Sequence, residues 1–259
     1  MIMEKCKWCG GIFHCYKSPG LKPDWVRKRC KSCCYISYKT PPTPDQLDEI
    51  YLQAWQKDRG VGGFATGSTN TLISHSLIQS TGLNCKGLRC LDYGAGSGAL
   101  SRVLISLGAD VLCYEPYGPA PSDLASFWIQ NQRELNAVEP FDLVFFVEVI
   151  EHAIEPVAVC RDINQLLKHG GKLIVTTPNS LGLTARLSGQ SWRETENATH
   201  IGLFSNQALV QCLRQSGFVN LTRLKRPVRY SNSRIKSFFL SILQICGIDG
   251  GLRVIAEKK

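Results

Sequence analysis

Short apolar runs at 88–93, 109–115, 127–129, 141–147, 172–177, 218–224 and 252–256 read as strands. Between them lie stretches whose apolar positions recur at helical spacing: 70–80, from Leu100 onward, 154–167, 205–216 and part of 227–250. The 141–147 run is apolar save for one early acid, Asp142, as a central parallel strand should be. Strands alternating with helices predict an α/β domain. A helix is also expected over 44–51, opened by Pro44 and carrying acids in its first turn. His169-Gly170-Gly171 reads as the stop of the 154–167 helix.

One stretch stands out of this pattern. Leu91-Asp92-Tyr93-Gly94-Ala95-Gly96-Ser97-Gly98 joins a buried strand to a helix start through glycines at every second position. Such glycines let the backbone pass close under a ligand, and the free N–H groups of the new helix face it. The next strand ends on Glu115, about 20 residues further on, where a carboxylate accepts the hydroxyls of a ribose. The spacing is GxGxG, so a nucleoside with a short tail fits better than a dinucleotide.

The composition places the rest. A chain of 259 residues, 44% hydrophobic and 20% charged, suffices for one sizeable core and a small appendage. No apolar leader opens the chain and no run is long enough to span a bilayer, so a cytoplasmic protein without a transmembrane segment is expected. The 12 cysteines then point to metal and buried thiols rather than disulfides. Cys6-x2-Cys9 and Cys30-x2-Cys33, 20 residues apart, match two knuckles of a structural zinc site. Gly10 and Gly11 allow the first knuckle to turn; in the second, Cys34 stands where glycine is common, and Cys15 and Cys34 are spare thiols. The charge is uneven: nine cations and two acids in 1–40, 12 and 17 in 41–222, nine and two in 223–259. Basic ends of this kind suit RNA, a nucleotide-linked sugar, a phospholipid surface or solvent.

From Leu91 to about Phe218 the chain resembles class I S-adenosylmethionine-dependent methyltransferases, in the group of ubiquinone-pathway and sugar O-methyltransferases. The residues that carry the resemblance are the glycine stretch, Glu115-Pro116, Phe141-Asp142-Leu143-Val144, Glu148-Val149-Ile150-Glu151-His152, 166–173, Thr177-Pro178-Asn179 and Ser216-Gly217-Phe218. The resemblance implies a Rossmann-like seven-stranded sheet with helices on both faces, 218–224 and 252–256 forming the last antiparallel pair. It divides the chain into a zinc ribbon over 1–40, a linker and cofactor-covering helices over 41–82, and a methyltransferase domain over 83–259 with a helical insertion at 227–250. S-adenosylmethionine would lie on Asp92, Tyr93, Gly94, Ala95, Gly96, Glu115 and Pro116, with Asn131, or Gln130 beside it, reading the adenine. The 60–67 loop, glycine-rich, is a candidate lid.

Glu148, Glu151 and His152 stand at i, i+3 and i+4, so in a helical turn their side chains converge. The arrangement is similar to the ExxEH motif of the same methyltransferases, which implies a Mg or Mn ion held by Glu148, Glu151, His152 and His200. The competing reading is a turn braced by hydrogen bonds, with His200 as general base and His152 and Glu148 beside it. The 178–200 stretch, with Trp192 and Arg193, is expected to shape the acceptor pocket, and the amphipathic part of 227–250 to cover it or to meet a membrane surface or a second copy. The expected activity is O-methylation of a hydroxyl on a sugar, nucleotide-linked sugar or small metabolite. An RNA methyltransferase and a non-catalytic binding module are the alternatives, and oligomeric state is left open.

Overall fold

A computed structural model of the chain describes residues 4–22, 25–57, 68–224 and 226–259. The 60–67 loop lies outside the described residues. The N-terminal part holds three short strands, β1 (Phe13–Lys17), β2 (Val26–Cys30) and β3 (Ile36–Tyr38), and the helices α1 (Pro44–Lys57) and α2 (Ser68–Thr81) follow. Then come β4 (Arg89–Tyr93), α3 (Ala99–Ser106), β5 (Asp110–Tyr114), β6 (Trp128–Ile129), α4 (Gln132–Leu135), β7 (Phe141–Val147) and α5 (Pro156–Leu166). The chain closes with β8 (Leu167–Pro178), α6 (Leu183–Ser188), α7 (Arg193–Glu196), β9 (Gly202–Leu203), α8 (Asn206–Gln215), β10 (Phe218–Arg223), α9 (Arg234–Cys246) and β11 (Gly251–Lys258).

Seven strands form one sheet in the order β10-β11-β8-β7-β4-β5-β6, parallel except for β11, which runs antiparallel to both neighbours. The chain leaves β4 toward β5 on one side and returns to β7 on the other, so the sheet's switch point lies at the carboxyl ends of β4 and β7. The period of two sorts the core: Leu91, Val144, Phe146, Leu173 and Val175 pack with Cys160 and Ile163 of α5 and Leu209 and Leu213 of α8. Their neighbours Cys90, Leu143, Phe145 and Ile174 face the other way, onto Val103 and Leu104 of α3 and Ile78 of α2.

One local expectation is corrected. Gly170 and Gly171 do not stop α5; the chain passes from helix to strand at Leu167, extended at φ −85° and ψ 148°, and the glycines lie inside β8. Leu167 pairs with Phe141 and Lys172 with Leu143, so the glycines occupy a bulge, with Gly170 at φ 72°. Between β5 and β6 the described chain forms only a 3-10 turn, Ala125–Phe127, in place of a crossover α-helix.

The ribbon does not stand apart. Its sheet runs β1-β2-β3-β9, taking its fourth strand from the loop beyond β8. Trp8 and Tyr35 pack edge-on at 5.6 Å and both meet Phe204, at 6.1 and 5.3 Å. Those rings belong to the same apolar cluster as the α5 and α8 face of the large sheet.

Candidate active site

The turn after β4 takes the backbone that only glycine adopts freely: Gly94, Gly96 and Gly98 have φ of 81°, 53° and 75°. A Cβ on Gly94 would stand 2.5 Å from Val149 Cγ2, and one on Gly98 2.2 Å from Leu124 Cδ1. A Cβ on Gly96 would have nothing within 4 Å. That open space belongs to a cavity of about 560 Å³, lined at this end by Asp92, Gly94, Ala95 and Gly96 and covered by Asn70, Ser74 and Leu77 of α2. Its size suits a bound small molecule.

Asp92 is buried at the end of β4 and accepts a 2.6 Å hydrogen bond from Ser101 Oγ in α3. Burial raises its carboxyl from 3.8 to about 6. Glu115 lies behind the turn, accepting N–H groups of Gly96 and Tyr117, each at 3.1 Å. Burial raises its carboxyl, and those N–H groups oppose the rise. Tyr93 turns to the opposite face, against Tyr114 and Phe146. Pro116 and Asn131 are exposed and stand outside the cavity lining; the Asn131 side chain caps α4 through Arg133 N–H, and Gln130 donates to Gly118 O.

The cavity continues past the carboxyl ends of β7 and β8 to Glu148, Thr176, Trp192, Tyr230, Lys236 and Arg253. Arg253 reaches it because β11 pairs with β8, Gly251 opposite Pro178. Its guanidinium donates to Tyr230 Oη at 3.2 Å and Gly251 O at 2.9 Å and pairs with Asp249. Arg253 depends on strand pairing distant in sequence, and no local motif marks it.

The 148–152 segment departs from the α turn that the spacing suggested. Glu148 takes φ 56°, a left-handed backbone that costs a non-glycine residue about 1 kcal/mol or more and clusters at functional sites. Its carboxylate accepts Thr176 Oγ1 at 2.8 Å, and the protein around it raises its pKa although the residue keeps access to the cavity. Ile150–His152 is a 3-10 turn, and Glu151, wholly buried, accepts Thr177 Oγ1 at 2.8 Å. Burial and the nearby Glu148 push the Glu151 carboxyl well up. His152 Nδ1 lies 3.1 Å from Thr199 O, and burial lowers this histidine to about 4. His200 is buried, with Nδ1 3.2 Å from Glu194 O and Nε2 3.0 Å from Asn197 Nδ2, and burial pushes its pKa well below the usual range.

The ligand atoms of Glu151, His152 and His200 lie within 4.8 Å of one another; Glu148 is outside this group. Two imidazoles and one carboxylate suit a transition metal better than Mg, which prefers oxygen ligands and waters. None of the three lines the cavity in which an acceptor would meet such an ion.

The four ribbon cysteines do fit zinc. All four sulfurs lie within 4.8 Å of one another, with Cys6 to Cys33 at 3.7 Å and Cys9 to Cys30 at 3.4 Å. Sulfurs at about 2.3 Å from a tetrahedral ion are about 3.8 Å apart. Gly11 N–H points at Cys9 Sγ at 3.4 Å, and Cys34 adopts φ 59°, the conformation that Gly10, at 73°, supplies in the first knuckle. Four thiolates leave no open position, so the ion would be structural.

One functional contact had no sequence signal. Arg27 of β2 is fully buried and donates to the backbone carbonyls of Thr195 at 3.0 and 3.2 Å, Asn197 at 2.9 Å and His200 at 2.5 Å. Its guanidinium lies 3.8 Å over the Tyr38 ring. The ribbon thus holds the loop that carries Glu194 and His200.

A family profile described as a methyltransferase domain matches residues 50–223. The ubiquinone biosynthesis O-methyltransferase of Xanthomonas euvesicatoria pv. vesicatoria is 35% identical over 113 residues, 39% of this chain and 47% of that protein. The protein of the same description from Cereibacter sphaeroides is 34% identical over 111 residues, 39% and 45% of the two chains. This chain therefore spans about half the length of the curated relatives it matches. Among solved structures, the Burkholderia thailandensis 1,6-didemethyltoxoflavin-N1-methyltransferase superposes with TM-score 0.57 at 14% identity, covering 94% of this chain and 100% of that one. An S-adenosylmethionine-dependent methyltransferase from Archaeoglobus fulgidus gives 0.53 at 16%, covering 80% and 99%. At these identities the likeness is one of fold.

Proposed function

Because the chain belongs to the methyltransferase-domain family, we propose that it is an S-adenosylmethionine-dependent methyltransferase acting on a hydroxyl of a sugar, nucleotide-linked sugar or small metabolite. The observation that carries this reading is the single cavity that opens over Gly96 and runs on to Glu148 and Tyr230. In this reading the Gly96 end takes the donor and the Glu148 and Tyr230 end takes a polar acceptor.

The sulfonium donor supplies an already activated methyl group, so the chain's residues have to align and to take one proton. Asp92 and the glycine turn hold the donor end, and Glu115, freed from the Gly96 N–H, accepts ribose hydroxyls. Glu148 is the base: of the sequence-derived catalytic residues Glu148, His152 and His200, it alone lines the cavity. Burial makes its carboxylate a stronger base than usual. His200 and His152 brace the wall behind it, their Nδ1 atoms directed at backbone carbonyls.

Transfer of labelled methyl from S-adenosylmethionine into fractionated cell extract tests the reading. Label is expected in small molecules or glycolipid; label in nuclease-sensitive polymer would replace it with RNA methylation, and absence of donor binding by calorimetry would leave a binding module.

A further inference from the structure

The helix α9 separates the cavity from the outside, and its two faces differ in chemistry. Lys236, Leu240 and Gln244 line the cavity, and the Gln244 amide is clamped by both backbone groups of Val228, at 2.7 and 2.8 Å. Ile235, Phe238, Phe239, Ile242 and Ile245 point the other way and are 74%, 64%, 62%, 42% and 69% exposed. At 100° per residue these five fall within an arc of about 120°. Close by, α6 leaves Leu187 79% exposed, and α6 begins where Leu183 N–H meets Ile248 O at 2.6 Å, just past the end of α9. A contiguous apolar face of this kind marks an interaction surface.

The charge beside it selects the partner. Arg226, Arg229 and Arg234 are exposed around the start of α9, and residues 224–248 contain no acid. A second copy of the same segment would bring cations and no counter-charge, whereas an anionic lipid surface supplies both an apolar interior and phosphates. We propose that the outer face of α9 seats the protein on an anionic bilayer, lying in the interface without crossing it. No helix among the described residues is long and apolar enough to cross one. Resting on the methyl-transfer reading, this makes the acceptor a lipid-borne molecule that enters the cavity beside α9.

Flotation of the whole chain with phosphatidylcholine vesicles, with and without phosphatidylglycerol, tests the proposal. Binding is expected only with phosphatidylglycerol; it should weaken with salt, and separately by about fivefold for each basic side chain removed. Joint Phe238→Ser and Phe239→Ser substitution should reduce partition at least about tenfold, and Arg226→Glu with Arg234→Glu should abolish the anionic preference. Calorimetry with S-adenosylmethionine on each variant shows whether the fold is kept. Donor binding without flotation overturns the lipid surface and leaves the enzyme reading; flotation without donor binding supports the surface and overturns the enzyme reading. A dimer in light scattering that the phenylalanine substitutions split would assign the face to a second copy and overturn the proposal.

Discussion

At the scale of single residues, the three turn glycines are constrained for different reasons. Gly98 combines a left-handed backbone with contact to Leu124, so Gly98→Ala should destabilise the fold by about 2–4 kcal/mol, read as a lowered melting temperature. Gly96→Ala bears only the backbone cost, about 1–2 kcal/mol, because its methyl enters open cavity. Its larger effect should fall on the donor, with affinity down at least about tenfold by calorimetry. Asp92 gives a pH signature. A carboxyl whose folded-state pKa is raised favours the folded chain while protonated, and that contribution is lost as pH rises from about 4 through about 6. Asp92→Asn should therefore flatten the fall in stability across that window and raise stability at pH 7, by up to about 3 kcal/mol. Urea melts at several pH values would show it, and an unchanged slope would remove Asp92 as the source.

Between elements, the decisive contact is that of β2 with the loop from α7 to β9. Arg27 satisfies three carbonyls and has the Tyr38 ring beneath its guanidinium. Arg27→Met keeps much of the volume but leaves those carbonyls without their donor, each costing about 1–3 kcal/mol when buried. We expect a stability loss of at least about 3 kcal/mol, and faster amide exchange over 195–200 than in α5. Arg27→Lys should recover little, since one ammonium cannot span carbonyls that a planar fork reaches together. Wild-type exchange in Arg27→Met would show that the loop holds itself. The site was half legible at this scale: the order Glu148, Glu151, His152 was plain, but convergence assumed an α turn. The chain takes a 3-10 turn after a left-handed Glu148, and the carboxylates separate onto Thr176 and Thr177.

For the molecule as a whole, the ribbon and the sheet unfold together if they share one core. Trp8, Tyr35 and Phe204 link the cysteine knuckles to the α5 and α8 face, and β9 completes the ribbon's sheet. Removal of metal by a strong chelator, or Cys9→Ser, should lower the melting temperature of a single transition monitored by far-UV dichroism and tryptophan fluorescence alike. Two separated transitions, with the large domain unchanged, would show that the ribbon is an independent appendage.

What the sequence by itself determined is what neighbouring residues decide. The glycine turn follows from backbone freedom at alternate positions, the knuckles from paired thiols with two residues between them, and the strands from runs of apolar side chains. Only the tertiary structure decided the rest. That β8 begins at Leu167, with Gly170 and Gly171 in a bulge, depends on pairing with β7, a partner no local rule supplies. Arg253 enters the cavity because β11 lies against β8, Tyr230 meets it there through a hydrogen bond, and Arg27 is buried because a loop some 170 residues away folds over it. Burial then set the chemistry, raising Glu148 and lowering His152 and His200, since a charge withdrawn from water is disfavoured whatever its place in the chain.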